Sequence, residues 1–277
     1  MPRLYIVRGS PSYTPPTIRG AWERTNEQIA RALQTAPDEP NLGAVTSNSS
    51  YETTTLATND QLVIRAITAP LAANYTFSGT LNVMLAVQQT FSNSANCFYI
   101  HAYVTTGNSD TVRGTLLANY VDTTGNDWST TAAAKALLAA QTLSGVAAQA
   151  GDRIVVEIGF KAKNTFSTQQ FGIIYYGGPG PDILSGGAPT SGAGYIDFSD
   201  TFTLTETQQL RVTQLANEVV RYQTDAQVRA TQLVVEAVRR PTAPPVRISQ
   251  MVIEVVRDNE LPLPTTTVLA STVVIAT

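Results

Sequence analysis

Strict alternation of apolar and polar residues is the first signal along this chain. In Thr76 to Gln88 the residues Phe77, Gly79, Leu81, Val83, Leu85 and Val87 share one face. Thr76, Ser78, Thr80, Asn82 and Gln88 share the other, and a period of two of this kind belongs to a strand with one buried face. Cys97 to Val104 repeats the pattern, with Phe98, Ile100, Ala102 and Val104 on one side and Tyr99, His101 and Tyr103 on the other. Further strands are expected at Gln61–Ile67, Arg113–Val121, Ile154–Phe160, Phe171–Tyr176 and Tyr195–Leu204. Ala132 to Ala140 has the composition of a single helix, and Gly177 to Gly194 that of a long loop. Strands at this spacing predict a mainly β fold, a jelly-roll-like antiparallel β-sandwich over residues 44–205.

The flanks read differently. Residues 1–43, punctuated by Pro2, Pro11, Pro15 and Pro16, read as an extended N-terminal arm. Trp22 within it reads as a core anchor. After the sandwich, Arg211-Val-Thr-Gln-Leu-Ala-Asn-Glu-Val-Val-Arg221 returns at Arg229 and again at Arg247, in steps of 18 residues. Fixed-period repetition marks units that bury their apolar faces only by stacking. Val212, Leu215, Ala216, Val219 and Val220 have helical spacing. The β-branched pairs Val219-Val220, Val234-Val235 and Val255-Val256 prefer strands. Strands are the favoured reading and helices the alternative. Residues 206–259 thus read as an attachment or oligomerisation region, with ladders of Arg211, Gln214, Glu218, Arg229, Gln232, Glu236, Arg247, Gln250 and Glu254 setting register between repeats or copies. Residues 260–277 form a β-prone tail suited to completing a neighbour's sheet.

Composition narrows the functional classes. With 277 residues and 43% hydrophobic content a sizeable core is available. Charged residues are only 14% of the chain, and Ser, Thr, Asn and Gln carry the polarity instead. The net charge of −3 supplies no basic footprint for nucleic acid. No apolar run approaches the ~18 residues of a membrane span, and Met1-Pro-Arg-Leu-Tyr-Ile-Val-Arg8 lacks the apolar core of a secretory signal.

Candidate chemistry is sparse. His101 and Cys97 are the sole residues of their types. Cys97 reads as a small buried hydrophobe. A triad would have to use His101 with Asp110 or Asp152, yet a strand-borne histidine between tyrosines reads as a packed residue. Asn108 to Asp110 and Asp122 to Asp127 match no calcium loop and read as solvated turns. Asp152 and Glu157 are too close in sequence to flank a glycosidic bond. The expectation is therefore a non-enzyme with no cofactor and no metal site. Tyr99, Tyr103, Tyr175 and Tyr176 are candidates for stacking on sugars, although packing is the favoured role for each; Tyr175 and Tyr176, beside the glycine-rich loop, are the proposed glycan contacts.

Four stretches carry a resemblance. Asp110-Thr-Val-Arg-Gly-Thr-Leu-Leu-Ala-Asn119, then Gly125-Asn-Asp-Trp128 and Ala150-Gly-Asp-Arg-Ile-Val-Val-Glu-Ile-Gly159, resemble a family of tailed-bacteriophage virion proteins, as does Pro15-Pro-Thr-Ile-Arg-Gly-Ala-Trp22. The Arg-Val-Thr-Gln repeat is similar to short tandem repeats of phage structural proteins. The resemblance implies a non-enzymatic structural component of a tailed-phage virion, a tail, fibre or head-associated appendage acting by protein–protein assembly. It implies a homo-oligomer, a trimer being the commonest closure for β appendages, with other virion proteins as partners and no nucleic acid or membrane insertion. Its place would be the virion, made in the host cytoplasm and released by lysis. The alternative is a carbohydrate-binding host adhesin whose partner is a host-surface glycan.

Overall fold

A computed structural model describes residues 2–11, 14–25, 28–37, 46–52, 59–122, 127–162, 170–178, 180–205, 215–223 and 226–234. It divides into two units, Met1–Glu206 and Thr207–Thr277.

The first unit is built from strands, and none of its described residues is α-helical. The strands are β1 (Arg3–Ile6), β2 (Ile29–Gln34), β3 (Thr46–Glu52), β4 (Asn59–Thr68), β5 (Tyr75–Phe77), β6 (Thr80–Gln89), β7 (Cys97–Thr105), β8 (Val112–Val121), β9 (Ala133–Ala136), β10 (Gln141–Thr142), β11 (Val146–Ala148), β12 (Arg153–Ala162), β13 (Gln170–Tyr176) and β14 (Tyr195–Phe198). One large sheet runs in the order β3-β13-β6-β14-β1-β2-β4-β12-β7-β8, with β9 and β10 on the second edge of β6. β5 and β11 form a separate pair. Pairing is antiparallel except between β2 and β4.

The sheet folds over so that its two halves enclose one core, a sandwich-like arrangement. Leu81, Val83, Leu85 and Val87 of β6 meet Phe98, Ile100, Ala102 and Val104 of β7 and Ile154, Val156, Ile158 and Phe160 of β12 in a single apolar cluster. The period-two faces read from the sequence are those that point into it. Phe77, Phe198 and Phe202 close one end with rings edge to face, a favoured aromatic geometry. Trp128 lies between Phe98 and Phe160 at centroid distances of 5.4 and 5.3 Å.

Four expectations need correction. The expected extended arm over residues 1–43 contributes strands to the domain, because β1 pairs with β14 and β2, and β2 pairs with β4, inside the main sheet. The connection between β1 and β2 still crosses another surface, as described below. The strand expected over Thr76–Gln88 is split, because the Asp200 carboxylate accepts from the Ser78 and Gly79 amides at 3.3 and 2.9 Å and turns the chain. Ala133–Ala136 is β9 rather than a helix: it pairs with Met84–Val87 of β6. Its local helix propensity is worth only tenths of a kcal/mol per residue, and covering an open strand edge outweighs it. Asp122 is not a solvated turn residue, since it is buried, with its carboxylate accepting from the Leu138 amide and the Tyr120 hydroxyl.

In the second unit, β15 (Leu215–Gln223) and β16 (Ala226–Val234) form an antiparallel hairpin. The described parts of repeats one and two, residues 215–221 and 229–234, are therefore extended. Glu218 stands opposite Thr231, Arg229 opposite Val220 and Gln232 opposite Asn217. Antiparallel pairing reverses one repeat against the other, so equivalent residues are not opposed in this hairpin. Arg211, Gln214, Glu236, Arg247, Gln250, Glu254 and the 260–277 tail lie outside the described residues.

Candidate functional site

The middle strands of the sheet are buried on both faces. In β7 and β12 the residues that alternate with the core set are Tyr99, His101, Tyr103, Val155 and Glu157, and none is more than about 5% exposed. Over Tyr99, Tyr103 and Glu157 runs the β1–β2 connection, residues 14–24, as a strap.

Glu157 is the centre of this contact. Its carboxylate, fully buried, accepts from the Arg19 amide at 2.8 Å, the Gly20 amide at 2.7 Å and the Trp22 indole N–H at 2.7 Å. The Tyr103 hydroxyl, with one proton to share, lies 3.1 Å from the Thr17 carbonyl oxygen and 3.2 Å from the Glu157 carboxylate. A buried carboxylate is tolerated only when its lone pairs are occupied in this way. Every oxygen of the one acidic side chain at the centre of the sheet is thus committed to the strap.

Other side chains of the sheet also read the strap's main chain. Asn119 Oδ1 accepts from the Ala21 amide at 3.0 Å, and the Tyr99 hydroxyl donates to the Ala21 carbonyl at 3.4 Å. Asp110 accepts from the Thr17 amide and hydroxyl, and Arg65 donates to the Pro16 carbonyl. Beyond Trp22 the strap becomes nearly a strand: the Glu23 and Arg24 amides donate to the Asp60 carbonyl, and the Leu62 amide donates to the Arg24 carbonyl.

Shape selects two residues. The Trp22 ring lies 4.3 Å from that of Tyr99, over Gly159. A Cβ at Gly159 would stand 2.7 Å from the Trp22 ring and 1.8 Å from the Gln61 carbonyl oxygen. A Cβ at Gly20 would stand 2.3 Å from the Trp22 indole nitrogen and 2.9 Å from Glu157 Oε2. Glycine at both places lets the indole reach its carboxylate.

His101 sits beside this contact. Its Nδ1 lies 3.0 Å from Asn119 Oδ1 and 3.3 Å from the Asn119 backbone nitrogen. Burial pushes the imidazole below its ordinary pKa, while Glu157 and Asn119 pull the other way. Asp110 is held below the usual carboxylate range by the Thr17 amide and hydroxyl. Burial raises the Tyr99 phenol to about 12.

The residues singled out from the sequence fall in separate places. Asp152 is tied to Arg113 and to the Gln149 amide, away from His101. Tyr176 is buried, with Arg31 donating to its hydroxyl at 2.9 Å, so it is a packing residue and not a sugar platform. Tyr175 is half-buried and donates to Gln88 at 2.7 Å. Tyr99 and Tyr103 are covered by the strap, and Cys97 is fully buried as expected. Sequence reasoning missed Glu157, whose signal was a lone acid inside the apolar run Ile154–Phe160.

No protein-family model and no curated protein matches this chain. Among solved structures it is similar to an α-amino acid ester hydrolase labelled with selenomethionine, at 10% identity and a TM-score of 0.37, over 71% of this chain. The match spans 36% of that chain, about a third of its length. Against the expectation of a non-enzymatic virion component with an adhesin alternative, the likeness found is to an enzyme. A TM-score of 0.37 also brings no activity to this chain.

Proposed function

We propose that the first unit is a binding module for an extended peptide segment, held in a self-occupied state by its own strap. The observation that carries this reading is the direction of the contacts. Side chains of Glu157, Asp110, Asn119, Tyr103, Tyr99 and Arg65 address amides and carbonyls of residues 16–21. Main-chain hydrogen bonds supply affinity for an extended ligand, and pockets for single side chains supply selectivity. Here the selective features are a glycine with no room for a Cβ and a tryptophan two residues on.

The strap is tethered at both ends by β1 and β2, so it competes for the face at a high effective concentration. A free peptide therefore binds measurably only when the cis contact is weakened. In the full-length Trp22→Ala protein, a labelled peptide of residues 14–25 is expected to bind with micromolar affinity by fluorescence anisotropy. The same peptide carrying Trp22→Ala should not bind, and the native chain should bind either peptide at least tenfold more weakly. A folded Trp22→Ala protein that ignores the native peptide overturns the reading.

A further inference from the structure

A second polar group, independent of the strap, lies unpartnered in the interior. Ser94 Oγ, Asn96 Nδ2, Asn96 Oδ1 and the Trp128 indole Nε1 are all buried and have no hydrogen-bond partner. Their residues are at most 2% exposed. They belong to one small region: Ser94 ends the 3-10 turn Ser92–Ser94, Ala95 follows in the left-handed conformation (φ 52°), and the Asn96 carbonyl accepts from the Trp128 amide at 2.8 Å. The region is held in place from outside, because Gln89 accepts from the Asn96 amide at 2.9 Å and donates to the Ser92 carbonyl at 3.3 Å.

Buried polar atoms in folded proteins are almost always paired, with ordered water filling the places that protein atoms leave. The donor and acceptor set identifies the guest. Asn96 Nδ2 and Trp128 Nε1 only donate, Asn96 Oδ1 only accepts, and the Ser94 hydroxyl does both. A cation would leave the two N–H donors orphaned, and an anion would leave Asn96 Oδ1 orphaned. Exchanging the oxygen and nitrogen of Asn96 changes nothing, because both are unpartnered. Water both donates and accepts, and it makes about three hydrogen bonds at such sites.

We propose that the Ser94–Asn96–Trp128 region is a built internal water site, in which bound water joins the β6–β7 turn to the segment that leads into β9. The water is a structural ligand, shared between two connections that have no direct side-chain bond to each other.

The test uses the intact chain and its two tryptophans, whose indole protons give separate resonances. A long-lived water should give the Trp128 indole proton cross-peaks to the water frequency, of opposite sign in laboratory-frame and rotating-frame experiments. Ser94→Ala removes one anchor and should reduce or abolish that cross-peak while the Trp22 resonance stays in place. A Trp128 proton with no water cross-peak in the native protein overturns the proposal. A bromide-soaked crystal with an anomalous peak at Asn96 Nδ2 also overturns it, by assigning the site to an anion.

Discussion

The Trp22 indole N–H donates to Glu157 Oε2 at 2.7 Å across 135 residues of sequence. One end of that bond is the only large aromatic of the strap, and the other is a fully buried carboxylate in the centre of a strand. Hydrogen bonds to charged groups are worth ~1.5–3 kcal/mol each, and removing one partner strands the others. Glu157→Ala leaves the Arg19 and Gly20 amides and the Trp22 indole without an acceptor. It is expected to destabilise the first unit by about 3 kcal/mol, read as a lower urea midpoint with an unchanged slope. A loss below about 0.5 kcal/mol, the size of an ordinary surface change, would mean that the strap is held by other contacts.

Gly159→Ala tests the fit of the strap without touching a polar group. The new methyl would meet the Gln61 carbonyl oxygen, a backbone atom that cannot swing away, as well as the Trp22 ring. Overpacking of this kind costs ~1–3 kcal/mol. The variant should unfold at lower temperature, and Trp22 should become more accessible to a fluorescence quencher. An unaltered quenching profile would show that the strap adjusts around the methyl.

Alkaline pH should loosen the structure in a defined window. Burial raises Tyr99 to about 12, and burial with the Asp182 hydrogen bond raises Tyr5 to about 12, against an ordinary value of 10.0. A phenol whose pKa is raised by folding contributes stability that is complete below pH 10 and is lost as pH rises from 10 through 12. Phenolate absorbance should therefore show a late-titrating fraction near pH 12. Tyr99→Phe should shrink that fraction. If every tyrosine titrates near pH 10 in the folded protein, the burial of these phenols is wrong.

The single histidine gives the acid counterpart. His101 is held below its ordinary value of 6.5, first by burial. Folding thus favours its neutral form, so its contribution is present above pH 6.5 and is lost as pH falls through the lowered pKa. The imidazole proton resonances should titrate below pH 6.5, with no histidine signal moving between pH 7 and 8. A midpoint at or above 6.5 would contradict the burial.

Much of the fold was legible because one face of each long strand carries its code. Leu81, Val83, Leu85 and Val87 share the core face, while Met84 and Ala86 on the other face pack in a smaller cluster with Ala134 and Ile183. The strap was not legible, because a segment without period, Pro15 to Trp22, covers the second face of β7 and β12. Tyr99 and Tyr103 looked exposed by alternation for the same reason. A polar residue inside an apolar run was the available clue, and Glu157 fits it: a carboxylate there implies donors brought from elsewhere. Ala133–Ala136 misled because its fate was decided by the open edge of β6, which local propensity does not encode. In the repeats the 18-residue period was plain, whereas the antiparallel direction in which β15 and β16 pair is not written in the period.

Arg3 bonds Asp197 across 194 residues, and β1 lies between β14 and β2. The first strand of the unit therefore has its partner at the far end of the same unit. During synthesis β1 has to wait until residue 197 has left the ribosome before its pairing with β14 can form. Closing so long a loop carries a large entropic cost before any contact repays it. The joint between β1 and β14 therefore cannot close before nearly the whole unit has been made, whereas the pairing of β1 with β2 needs only the first 34 residues.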